Sequence, residues 1–105
     1  MDIQSEFSEC IETNLHEAEA YVALAAEFYE RAKSIGYLPT IRLCMQARTK
    51  AETAVQMFKR AIEEPIRSVI ADKLRLQGLE LMAECDWTFF DIQHALRREQ
   101  VRITS

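Results

Sequence analysis

The stretch PIRSVIADKLRLQGLELMAECDWTFFDIQHALRREQ, residues 65–100, decides the architecture, because at 100° per residue it carries two apolar stripes rather than one. Ile66, Ile70, Leu74, Leu81, Cys85, Ile92 and Leu96 fall on one side of the helix, and Val69, Leu76, Ala83, Trp87 and Phe90 on the other. The two sets are centred about 180° apart. Lys73, Glu80 and Asp91 occupy one of the gaps between them, which is awkward for the single wide face of a helix touching two neighbours. A chain of 105 residues comfortably buries one such stripe, so the surplus points to a partner. The expected partner-binding set is Val69, Leu76, Ala83, Trp87 and Phe90, with His94 at its edge. Trp and Phe are aromatic types that anchor interfaces. An imidazole buried at that edge would resist its charged form and make association pH-sensitive.

Upstream of this stretch the chain reads as two further helices. Nothing between Asp2 and Ile35 is Gly or Pro, and Asp2 or Ser5 can cap the start. The run Lys33-Ser34-Ile35-Gly36-Tyr37-Leu38-Pro39 reads as a stop: a basic last turn, a glycine for a left-handed cap, then proline. The first helix is thus a rod of roughly 45 Å at 1.5 Å per residue. Pro39 suits the first turn of a second helix, where Leu43, Cys44, Ala47, Ala51, Val55, Phe58 and Ile62 keep helical period. Pro65 interrupts it. Glu63, Glu64 and Pro65 make a sound start for a third helix, with a tight reversal preferred over a kinked continuous rod. Gly78, inside the third helix, marks either a close backbone approach or a bend.

The composition agrees. Only two Gly and two Pro occur, against roughly 12 expected per 100 residues, and the rest is rich in helix formers. With 49% hydrophobic and 29% charged residues, the chain is expected to form one globular domain spanning residues 1–105. No apolar run reaches the roughly 18 residues of a membrane span and no secretory leader is visible, so a cytoplasmic chain is expected. Cys10, Cys44 and Cys85 are widely spaced and odd in number, which reads as free thiols rather than a disulfide or zinc framework.

Charge is segregated along the chain. Residues 1–30 carry −8, residues 31–62 carry +6 and the remainder −2, for a net −4. The first two helices are expected to neutralise each other when antiparallel. On the first helix Glu9, Glu12, Glu19, Glu27 and Glu30 form an acidic stripe opposite Phe7, Ile11, Leu15, Ala18, Val22, Ala25 and Tyr29. Most such stripes are solvated outer faces. The sharper reading is an acidic docking face for a basic protein, setting encounter rate and partner choice. The basic residues of the second helix are scattered around it: Arg42 and Arg60 one way, Arg48 and Lys59 another, Lys50 a third. That argues against direct nucleic-acid binding.

Candidate chemistry is thin. His16 lies beside Glu12 and Glu19, and Asp91 and His94 stand three apart, but a carboxylate–histidine metal bundle needs two Glu-x-x-His elements with further inward glutamates. The two histidines are expected at opposite ends of the bundle. No Ser or Cys sits in a glycine-rich turn and no phosphate-cradling loop exists. The expectation is an all-α, up-down-up three-helix bundle with long helices, completed by self-association. It has no catalytic, cofactor or metal residues. It acts as a non-enzymatic adaptor, inhibitor or chaperone-like interaction module, partnered by a second copy, another protein, or both. A metal-binding bundle and a nucleic-acid-associated protein are the alternatives.

Overall fold

A computed structural model describes residues 3–65 and 68–104, with side chains described for 7, 9–65 and 68–102. It is all-α: α1 spans Ile3–Ile35, α2 Leu38–Glu63 and α3 Val69–Thr104, with no strand among the described residues. The assembly is a rod of 59 × 22 × 17 Å. α1 is already helical at Ile3, which places Ser5 inside the helix, while Asp2 lies outside the described residues. Gly36 ends α1 with φ of 82°, the left-handed conformation a side chain resists, and its N–H donates to the Ala32 carbonyl at 2.9 Å. α2 begins one residue before Pro39, with extended Tyr37 as its cap.

The third helix starts later than Glu63-Glu64-Pro65 suggests. Ser68 is the cap: its Oγ accepts from the Ala71 N–H at 3.0 Å, so the first helical residue is Val69. A capping hydroxyl satisfies an otherwise orphaned N–H, which two glutamates before a proline do not do here. The connection is therefore 64–68 rather than a kink through Pro65. Beyond it α3 returns along α2, since Phe58 meets Gly78, Lys50 meets Glu84 and Cys85 meets Ala47. α1 lies beside α3 in the same direction, with Cys10 at Arg75 and Tyr21 at Asp86.

What holds α1 to α2 is small residues. Ala18, Ala25 and Ala32 repeat every seven residues on α1, Ala47, Ala54 and Ala61 every seven on α2, and all six are buried. Ala25, Ala32 and Ala47 belong to one core group and Ala18, Ala54 and Ala61 to the other, and small buried side chains at heptad spacing allow two helices to pack closely. Among the described residues no ion pair within 4 Å joins α1 to α2; the pairs are Arg48–Glu52, Lys50–Glu84 and Arg102–Glu99. The anticipated neutralisation is therefore not made by direct ion pairs among the described residues, although Glu19 of α1 and Lys59 of α2 line one groove.

One end of the core gathers Phe28, Cys44, Cys85, Phe89, Ile92 and Leu96, the other Ile11, Val55, Phe58, Leu74 and Met82. Phe89 packs edge-on to Tyr21 at 5.4 Å and tilted on Phe28 at 5.7 Å between centroids. Gly78 is a close approach and not a bend. A Cβ built there would stand 2.6 Å from Cε1 and Cζ of the fully buried Phe58 ring.

Candidate functional site

α3 carries 36 residues, and only part of its circumference meets α1 and α2. On the inner side Leu74, Cys85, Ile92 and Leu96 are buried and Leu81 partly so, joined by Ala71, Met82 and Phe89, which periodicity assigned to neither stripe. Ile66 lies outside the described residues. Ile70 is a correction: it is 54% exposed, because α3 begins at Val69 and the adjacent Ala71 turns inward in its place.

The opposite side is solvent-facing. Val69, Leu76, Trp87 and Phe90 are 70%, 55%, 73% and 61% exposed, Val101 lies on the same line, and Ala83 and His94 are exposed between them. The His94 ring stacks on Phe90 at 6.3 Å and 11°, which shields part of one aromatic face with another. Trp87 and Phe90 are thus not enclosed with Leu74 and Leu81, and the two stripes remain separate in the folded subunit. Val69, Leu76, Ala83, Phe90 and Arg97 recur every seven residues, as do Lys73, Glu80, Trp87, His94 and Val101, three residues behind. This is the a and d spacing of a left-handed coiled-coil seam. The exposed apolar side chains on this side are Val69, Leu76, Trp87, Phe90 and Val101, with Lys73, Glu80 and Arg97 interspersed.

On α1, Glu9, Glu12, Glu19, Glu27 and Glu30 are all exposed, opposite buried Ile11, Ala18 and Ala25. Phe28 and Ala32 also belong to that core face and were absent from the stripe read off the sequence. An open groove of about 660 Å³ between α1 and α2 is lined by Glu19, Val22, Thr53, Gln56 and Lys59 among others, with no cysteine and no histidine among the lining residues.

His16 is exposed beside its glutamates and, with α1 and α3 offset by 65 positions, stands level with Leu81. It is therefore roughly 20 Å along the rod from His94, nearer than opposite ends but too far to share an ion. Among the described residues no three His, Cys, Asp or Glu side chains gather to hold a metal. Tyr21 donates to Asp86 at 2.6 Å; that hydrogen bond, with burial and the carboxylate charge, pushes the phenol up to about 12. Burial pushes the Cys85 thiol up to about 11 and raises Cys44, so neither is an activated nucleophile. Cys10 is exposed and accepts a hydrogen bond from Arg75 at 3.4 Å.

Among the described residues no helix is long and apolar enough to cross a membrane. No protein-family model, no curated protein and no solved structure matches the chain.

Proposed function

We propose that this protein is a non-enzymatic interaction module, of the adaptor, inhibitor or chaperone-like kind, that offers the outer face of α3 to a protein partner. The bundle runs up-down-up and is completed by self-association, by a second protein, or by both. The observation that carries the reading is the line of exposed Val69, Leu76, Trp87 and Phe90, with Trp87 73% open to water on a helix whose other side is packed. Burying apolar area of that kind contributes about 25 cal/mol per Å², and exposed patches of this type mark association surfaces. The exposed glutamates of α1 supply a second, electrostatic contact that steers a basic partner. Three free thiols, two of them buried, suit a reducing compartment such as the cytoplasm.

The alternatives have no observation in their favour. The scattered cations of α2 make no basic face, and the metal reading lacks a ligand cluster among the described residues. The test is photo-crosslinking in the cells of origin from a probe at Ala83, with a probe at exposed Arg48 on α2 as control. Adducts from position 83 that disappear on Trp87→Ala are expected. Equal labelling from both positions, or none from position 83, would overturn the reading.

A further inference from the structure

The occupant of this face can be named from its own charge pattern. We propose that α3 pairs antiparallel with α3 of a second copy, about a two-fold axis crossing the helix near residues 88–89. This rests on the reading above, that the outer face of α3 is the binding surface.

The seam has charged residues at three positions, Lys73, Glu80 and Arg97, all exposed. In a parallel pair each position meets itself, so lysine faces lysine, glutamate faces glutamate and arginine faces arginine, and all three layers repel. An antiparallel pair sets each a position against a d position instead. In the register that places Trp87 against the partner's Phe90, Glu80 comes opposite the partner's Arg97, and symmetry makes the contact twice. Among the described residues neither Glu80 nor Arg97 has an ion-pair partner within 4 Å in its own subunit.

Size follows the same register. His94 falls opposite the partner's Ala83, a large side chain against a small one, and Leu76 opposite the partner's Val101. The two aromatic layers lie together at the axis, where water exclusion is greatest. One flank carries like charge, Glu84 near the partner's Asp91, but Glu84 is already paired with Lys50 of its own subunit at 3.8 Å. From the exposures of Leu76, Trp87, Phe90 and Val101, with Ala83 and His94 added, the pairing covers on the order of 600 Å² per copy. The total, roughly 1,200 Å², reaches the lower limit of specific interfaces and matches a reversible dimer rather than an obligate one.

The experiment is sedimentation equilibrium of the full chain across a concentration series, with Glu80→Arg and Arg97→Glu. Both positions are solvent-exposed, so the variants are expected to fold, as circular dichroism would verify. Each alone places like charges opposite each other twice and should raise the dissociation constant tenfold or more, on the order expected for like-charge juxtaposition. An equimolar mixture should recover a dimer, because the Glu80→Arg chain then presents two arginines to the two glutamates of the Arg97→Glu chain. A parallel dimer gives a different pattern: each variant alone only exchanges one like-charge layer for another and leaves the dissociation constant near that of the wild type, and the mixture alone binds more tightly than the wild type. Loss in each variant alone, followed by recovery in the mixture, supports the pairing; single variants that dimerise like the wild type overturn it. A dimer without recovery overturns the register. A wild-type chain that stays monomeric, while a probe at Ala83 still crosslinks a different protein, overturns self-pairing and leaves the interaction reading standing. A dimer indifferent to both charge variants and to Trp87→Ala removes both.

Discussion

Gly78→Ala is a mutation for which local and tertiary effects oppose one another with comparable magnitudes. In an isolated helix the change is favourable by about 1 kcal/mol, since glycine has more backbone entropy to lose. In this bundle the new methyl would stand 2.6 Å from Phe58 Cε1 and Cζ, about 1 Å inside the normal carbon–carbon separation. Phe58 is fully buried in the core group that holds Ile11, Val55, Leu74 and Met82, so the ring has nowhere to slide. Overpacking of this kind destabilises by about 1–3 kcal/mol. The expected net is a loss of about 1 kcal/mol, read as a lower urea midpoint at unchanged slope by far-UV circular dichroism at fixed protein concentration. Phe58→Leu opens the space. In that background Gly78→Ala should turn stabilising, with a coupling of about 1–3 kcal/mol across the cycle. A stabilised single variant, or a cycle without coupling, would refute the close approach as the reason for glycine here.

Four further outcomes are expected. Trp87→Ala should leave subunit stability within about 0.5 kcal/mol, because the side chain is 73% exposed, yet weaken association by roughly 2 kcal/mol or more; loss of both together would mean that Trp87 serves the fold. Tyr21 has its pKa raised in the fold, so its contribution to stability is full below pH 10 and is lost as pH climbs to about 12; Tyr21→Phe should cost about 0.5–1 kcal/mol at neutral pH, a difference that vanishes along the alkaline limb of a melting-temperature series. Of the three thiols, exposed Cys10 should react quickly with a disulfide reagent and buried Cys44 and Cys85 only after unfolding; two fast thiols would contradict the packing. Thr40, 2% exposed with a hydroxyl that has no hydrogen-bond partner among the described residues, should be improved by Thr40→Val by about 1 kcal/mol, a rise of several degrees in melting temperature; a fall would show that the hydroxyl is satisfied in solution.

Helix number and most helix ends were legible because their causes are local. Gly36 stops α1 by its own conformational freedom, Pro39 enters α2 where a missing N–H is harmless, and the long stretches between them are rich in helix formers with a 3.6-residue apolar period. The start of α3 was less legible. Both Glu63-Glu64-Pro65 and Ser68 are acceptable beginnings, and the choice went to the hydroxyl that reaches the Ala71 N–H. The candidate site was visible as well: Val69, Leu76, Ala83, Trp87, Phe90 and His94 share one side of a helix whatever surrounds it, because the turn angle alone puts them there.

Sequence by itself determined that the chain is helical with breaks at Gly36 and near Pro65, and that its last segment carries two separate apolar lines, because both follow from torsional preference and the 3.6-residue turn, which need no neighbour. That the break near Pro65 is a reversal and not a kink was decided by the tertiary structure. Only the tertiary structure decided which residues lie inside. Phe28, Phe89 and Met82 are core while Ile70 is not, six heptad-spaced alanines of α1 and α2 are buried, and Gly78 is the seat of a phenyl ring. Burial is a property of how three rods register against each other, and that register is set by contacts between residues dozens of positions apart, which periodicity along one rod does not contain.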